Sequence, residues 1–171
     1  GCDGLIVKGH ESAGSVSRYS SFVLLQELSG RLTVPYWVQG GIGTRSAAAV
    51  VVAGAAGVVL CEQLWLADES ALARSKNPGM WSQLDGSETV LLGPEETPFR
   101  LFARSGRAKF RELEERVLLK QPTKEALLEY LATVDDPLLP VGQDVAFAGP
   151  LAKRYGSVGC ILRAYQASMD S

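Results

Sequence analysis

Three short apolar runs, Leu5-Ile6-Val7, Pro35-Tyr36-Trp37-Val38 and Val58-Val59-Leu60-Cys61, constrain this chain most, because none of them alternates with polar residues. A strand with one wet face alternates; a strand covered on both faces has no reason to. Between the runs the spacing turns helical. Phe22, Leu25, Leu28 and Leu32 fall on one face of a predicted helix over 20–32, with Gly30 near its end, and Thr44 is a good N-cap for a helix from Arg45 to about Ala53. Strand, loop, helix in this order predicts an α/β fold with a parallel sheet and right-handed crossovers. Functional groups then gather at the carboxyl ends of the strands, in the loops after Val7, Val38 and Leu60.

Past Leu66 the pattern changes. A short helix is expected over 68–75, a turn at Asn77-Pro78-Gly79, and extended pieces over 89–92 and 99–103. From Gly106 the pattern is mostly helical: Phe110, Leu113, Val117, Leu118, Leu127, Leu128 and Leu131 mark two amphipathic helices broken at Pro122. A proline-rich turn over 135–140 precedes two more helices, about 145–155 and 157–167. The expected division is 1–93 for the βα units and 94–171 for a mostly helical extension packing on them. Three parallel strands cannot close a barrel, which needs about eight strands and at least ~200 residues. Gly1-Cys2-Asp3-Gly4 has no initiator Met and runs at once into a strand, so the chain reads as the later part of something larger.

Composition narrows the function classes. Seventeen Lys and Arg stand against nineteen Asp and Glu, a formal charge of −2, so there is no excess of positive charge to hold a nucleic-acid backbone. The longest stretch of small apolar residues, 47–60, is interrupted by glycines and too short for a bilayer, and no basic targeting segment opens the chain. Cys2, Cys61 and Cys160 lie far apart and form no CxxC pair, which points to a reduced, cytoplasmic protein. With His10 as the single histidine, no metal site of the usual kind is expected.

Two loops carry the unusual residues. In Gln39-Gly40-Gly41-Ile42-Gly43-Thr44, glycines let main chain approach a ligand while the following helix presents free amides, so a phosphate is the natural guest. A plain strand-to-helix turn is the alternative. The loop Lys8-Gly9-His10-Glu11-Ser12-Ala13-Gly14-Ser15 can lay main chain along a flat ring and offer Lys8 or Glu11 to it. His10 is the candidate proton-transfer residue, against the alternative of a loop histidine bonded to backbone; Glu11 is equally a ligand contact or a helix-cap partner.

The combination of Val7 to Gly14, Val38-Gln39-Gly40-Gly41-Ile42-Gly43 and Gly57-Val58-Val59-Leu60 resembles the carboxyl-terminal half of the nitronate monooxygenase, or 2-nitropropane dioxygenase-like, family of FMN-dependent TIM barrels. Glu62-Gln63-Leu64-Trp65-Leu66-Ala67 and Pro140-Val141-Gly142-Gln143-Asp144 are similar to the enoyl reductase-like members found in polyketide and polyunsaturated fatty acid synthases. The resemblance implies the carboxyl-terminal part of a (β/α)8 barrel followed by a helical segment. It implies FMN as cofactor, NADPH or NADH as hydride donor, and an unsaturated acyl thioester, carried on an acyl carrier protein, as substrate. Neighbouring megasynthase modules are the implied partners. By the same resemblance Lys8 and Gly9 border the flavin, Gly40 and Gly41 hold its phosphate by main-chain amides, Cys61 and Glu62 stand beside that phosphate, and Gln143, with Gly142, approaches the flavin from the helical segment; Glu11 and Ile42, in the same two loops, are further candidate cofactor contacts.

Two departures from the family pattern matter. Where the monooxygenases end the first loop in Gly-Gly-His, this chain has Ala13-Gly14-Ser15, and the catalytic base of that pattern is absent. Where the family places Gly and then Thr or Ser after the last strand, this chain has Cys61-Glu62. Two like charges about 4 Å apart at an effective dielectric of ~20 repel by about 4 kcal/mol, so Glu62 facing a phosphate would weaken it about a thousandfold. Arg45 offsets part of this or is a plain helix-face cation. An alternative therefore stands beside the enzyme: a degenerate flavin barrel kept as a structural or docking module. A sugar-phosphate barrel is a third.

Overall fold

The computed structural model describes residues 1–75, 78–103 and 139–171, together with Glu115, Glu125 and Glu129. The two helices expected between Gly106 and Leu131 lie outside the described residues.

The three apolar runs form β1 (Leu5–Lys8), β3 (Tyr36–Gln39) and β4 (Gly57–Val59), hydrogen-bonded as a parallel sheet in the order β1-β3-β4. Leu5 lies opposite Tyr36, Lys8 opposite Gln39, and Gln39 opposite Val59, which brings the carboxyl ends of the strands level. The crossovers are α1 (Ser21–Leu28) and α2 (Thr44–Val52). Ser20 caps α1 by accepting the Val23 N–H at 3.3 Å. The helix ends a turn earlier than its apolar spacing suggests, because Ser29 leaves the helical region and Gly30 takes a φ of +72°, a glycine exit. Gly43, not Thr44, caps α2: its N–H donates to Ser46 Oγ at 2.9 Å, and Thr44 is the first helical residue.

The extended pieces after residue 88 are β5 (Thr89–Leu92) and β6 (Phe99–Phe102), an antiparallel hairpin. Sequence spacing did not reveal their partner. It is β2 (Gly14–Ser15), from the first loop, which pairs with β6 and makes a second sheet in the order β2-β6-β5. Residues 68–75 form successive turns rather than the expected helix, and the expected turn at Pro78-Gly79 is instead a short helix, α3 (Pro78–Ser82). Proline opens it, where the missing N–H has no partner to lose.

The last helices are α4 (Val145–Tyr155) and α5 (Val158–Met169), close to expectation. Gly156, at φ +70°, turns the chain between them, and Ser157 Oγ accepts the Cys160 N–H at 3.3 Å. Val38, Ile42, Ala47, Val50, Ile161 and Tyr165 form the main core, so the helical pair closes over the far end of the β3 to α2 unit. A second core gathers Leu66, Trp81, Val141, Val145 and Ala148, with Trp65 edge-on to Trp81 at 5.4 Å. Among the described residues the parallel sheet is an open arc of three strands. Ile6 remains 61% exposed, and Leu5, Ile6, Trp37 and Val59 line a hollow of about 490 Å³.

Candidate active site

The loops after β1, β3 and β4 converge with the 140–145 stretch at the carboxyl ends of the parallel strands. Of the residues singled out in the sequence, Lys8, Gly9, Glu11, Gly40, Gly41, Ile42, Glu62 and Gln143 meet there, joined by direct hydrogen bonds or close packing.

The first loop is tied down by its own chemistry. Lys8 Nζ donates to Ala13 O at 2.8 Å, so the cation braces the loop it begins. Gly9 N–H donates to Gln39 O at 3.1 Å, and a Cβ on Gly9 would collide with Ser21 and the Glu11 carboxylate. Glu11 is a helix-start partner: its Oε2 accepts the Ser21 N–H at 3.0 Å and lies 3.1 Å from Ser21 Oγ. Ser12 Oγ donates to Gln39 O at 2.8 Å and Ser21 Oγ to Gly40 O at 2.7 Å, which locks the first loop onto the second. His10 stands at the margin of this lock, with Nδ1 at 3.4 Å from Arg18 O, Nε2 at 4.0 Å from Glu11 Oε1 and its side chain 34% exposed. Behind it the buried Arg100 guanidinium donates to His10 O and, at 2.8 Å, to Thr89 Oγ1, fastening the antiparallel sheet to the loop. Burial lowers the Arg100 pKa while the charge of Glu11 raises it.

The glycine turn has its expected backbone. Gly40 and Gly41 take φ of +106° and +70°, conformations in which a side chain is strained. Its amides, however, face the protein. Ile42 N–H donates to Asp144 Oδ1 at 3.0 Å, and the Gly41 N–H supports the same carboxylate. Gly43 N–H is used by Ser46, and Cys61 N–H donates to Gln63 Oε1 at 2.9 Å. Behind the turn, Ile42 O accepts from Gln63 Nε2 at 3.0 Å and from the Tyr165 hydroxyl at 2.9 Å. Burial, then the charge of Asp144, raises the Tyr165 pKa.

Glu62 is also inside. It is 1% exposed, its Oε1 accepts the Gly142 N–H at 2.6 Å, and its Oε2 has no hydrogen-bond partner among the described residues. Gln143 enters through its backbone, its N–H donating to Glu11 O at 2.7 Å. Burial first, and the charge of Glu62 second, push the Asp144 carboxyl up to about 7 against the pull of the Ile42 and Gly41 amides. The same two causes, in the same order, push the Cys61 thiol up to about 11, so it stays protonated and is a poor nucleophile at neutral pH. Among the described residues no three or more His, Cys, Asp or Glu side chains are grouped to hold a metal ion. No helix among them is long and apolar enough to cross a membrane.

An ester phosphate at this turn needs free amide donors and no neighbouring anions. The donors of Ile42, Gly43 and Cys61 serve the protein's own oxygens, and two buried carboxyls stand beside them. The residues present therefore do not fit the phosphate of FMN at this position. Asp144, Gln63 and Tyr165 were not singled out from the sequence as site residues. An aspartate before an apolar helix reads as a cap, yet the Asp144 side chain makes no cap bond to α4 and reaches across to Ile42 instead.

No family model matches the chain. No curated protein matches it. Solved structures do. FabK from Thermotoga maritima is similar over 99% of this chain and 55% of its own, at a TM-score of 0.73 and 20% identity. Nitroalkane oxidase from Streptomyces ansochromogenes is similar over 99% and 52%, at 0.64 and 21% identity. The enoyl reductase domain of MlnA, from the macrolactin biosynthesis cluster of Bacillus amyloliquefaciens, is similar over 99% and 56%, at 0.55 and 13% identity. The chain thus spans about half the length of these structures, and at these identities the likeness shows a shared mixed α/β fold.

Proposed function

We propose that this chain is the carboxyl-terminal half of a (β/α)8 oxidoreductase domain of the enoyl reductase and nitronate monooxygenase-like kind, working within a fatty acid or polyketide megasynthase. The observation that carries this reading is the likeness along 99% of the chain to both a nitroalkane oxidase and an enoyl reductase domain of a biosynthetic cluster. The reaction class is reduction of an α,β-unsaturated acyl thioester, with NADPH or NADH as electron source; FMN is the cofactor such domains imply, and its phosphate would have to be held elsewhere than at the Gly41–Ile42 turn, where Asp144 takes the amide. Ala13-Gly14-Ser15 supports reduction over nitronate oxidation, since the histidine of the monooxygenase pattern is missing. The 1–93 and 94–171 segments are then the last βα units and the helical cover of one domain.

A specific observation favours a second reading, the same barrel retained as an architectural or docking module. That observation is the Asp144 carboxylate on the Ile42 amide at 3.0 Å. One experiment separates the two: purify the complete polypeptide, record the flavin band at about 450 nm, and follow NADPH consumption with a short trans-2-enoyl thioester. Flavin that survives gel filtration together with thioester-dependent turnover supports the reductase. A colourless protein that ignores added FMN and does not turn over supports the module.

A further inference from the structure

We infer that the amide turn at Gly41 and Ile42 is an anion seat already taken by an intramolecular ligand, the Asp144 carboxylate, which makes the 140–145 stretch a built-in plug against an ester phosphate. This rests on the reading that the domain has the flavin-barrel fold, and it adds what fills the seat.

The seat has the expected shape. Gly40 and Gly41 hold the positive-φ backbone that presents the Ile42 N–H to Asp144, ahead of the first residue of α2. The occupant is buried: Asp144 is 1% exposed and receives the Ile42 N–H at 3.0 Å, from 102 residues away in sequence. The residues before it are anchored as well. Gly142 N–H is held by Glu62 Oε1 at 2.6 Å and Gln143 N–H by Glu11 O at 2.7 Å. A Cβ on Gly142 would lie 2.7 Å from Glu11 O and 2.9 Å from Ala13 N, so the stretch passes through a gap that only glycine fits.

The residues after the plug are bolted to the core. Val145 and Ala148 are fully buried, and Leu151 nearly so. The turn itself cannot swing to expose other donors, since Gln63 Nε2 and the Tyr165 hydroxyl both grip Ile42 O from the rear. An arriving phosphate would have to displace a packed helix start and then face Glu62, whose Oε2 is unpartnered among the described residues. The Asp144 carboxyl, which burial and Glu62 push toward its protonated form, carries less charge than an ester phosphate and is delivered by the chain itself, so it holds the seat without competition from solution.

Hydrogen exchange of the complete polypeptide, read by mass spectrometry on the peptide covering residues 38–46, tests this without needing activity. The native protein is expected to exchange slowly there, with no change on adding inorganic phosphate at about 20 mM, FMN or riboflavin. Asp144→Ala is expected to speed exchange of this peptide about tenfold or more, and phosphate or FMN, but not riboflavin, to slow it again. Asp144→Asn keeps an acceptor oxygen and is expected to keep the protection. Added protection of the native peptide by phosphate or by FMN over riboflavin overturns the inference, as does an Asp144→Ala protein that folds and exchanges like the native one. If Asp144→Ala raises exchange everywhere, the native protein with phosphate and the Asp144→Asn protein still decide. Loss of colour and turnover with the native pattern intact counts against the reductase alone; phosphate protection in a colourless protein counts against the plug alone.

Discussion

Glu62 and Gly142 are joined by a hydrogen bond of 2.6 Å that spans 80 residues of sequence, and the carboxylate that makes it is 1% exposed with its second oxygen unpartnered among the described residues. Glu62→Ala strands the Gly142 N–H inside and is expected to destabilise the protein by about 1–3 kcal/mol. Glu62→Gln keeps an acceptor and removes a buried charge, so its cost should be less than half as large. Urea midpoints of the two variants check this; a Gln variant as damaged as the Ala variant would mean that the charge, not the acceptor, holds the loop.

The Asp144 carboxyl, pushed up to about 7, gives a pH dependence of definite sign. Its folded value lies above the ordinary 3.8, so the folded state favours the proton. The corresponding stability is present in full below about pH 4 and is lost as pH rises through about 7, amounting to at most about 4 kcal/mol. Asp144→Asn cannot ionise. The difference in unfolding free energy between the Asn variant and the native protein should therefore grow in the variant's favour from pH 4 to 8, and a flat difference would refute the shift.

Gly9 and Gly40 should both resist alanine, for different reasons. At Gly9 the added methyl would meet Ser21 and the Glu11 carboxylate, while at Gly40 it would lie 2.6 Å from Ser12 Oγ on a backbone with φ of +106°. Each change is expected to cost about 2–4 kcal/mol from overpacking and, at Gly40, strain. Gly30→Ala meets no neighbouring atom, so it isolates the cost of positive φ alone, about 1 kcal/mol. Thermal midpoints of the three variants rank them.

The thiols should react unequally. Cys160 is lowered by the Ser157 hydroxyl and by Arg163, whereas Cys61 is pushed up to about 11 by burial and by Glu62. Iodoacetamide at pH 7.5 should thus modify Cys160 well before Cys61, as read by peptide mass spectrometry. Equal rates would mean that Glu62 does not face the sulfur.

Much of the scaffold was legible because burial on both faces removes polar alternation, and the runs at Leu5, Tyr36 and Val58 carry that signature. The last helices were equally plain from their small-residue and apolar spacing. The pairing of Gly14-Ser15 with β6 was not, since two residues have no period to read and the partner lies far along the chain. The site was half legible. Local sequence marks Gly40 and Gly41 as a turn that offers amides, but says nothing of what receives them. Asp144 reaches them only through the tertiary fold, and no spacing rule connects positions 42 and 144.

The seat and its occupant also differ in when they are made. On a ribosome the strands and the glycine turn emerge while Asp144, 102 residues behind Ile42, has yet to be translated. Until it arrives, a nascent or truncated polypeptide carries bare amides and an unshielded Glu62 at the sheet's rim. Completion of the glycine turn thus waits on a segment made about a hundred residues later, and a chain cut short before that point leaves the turn unfinished.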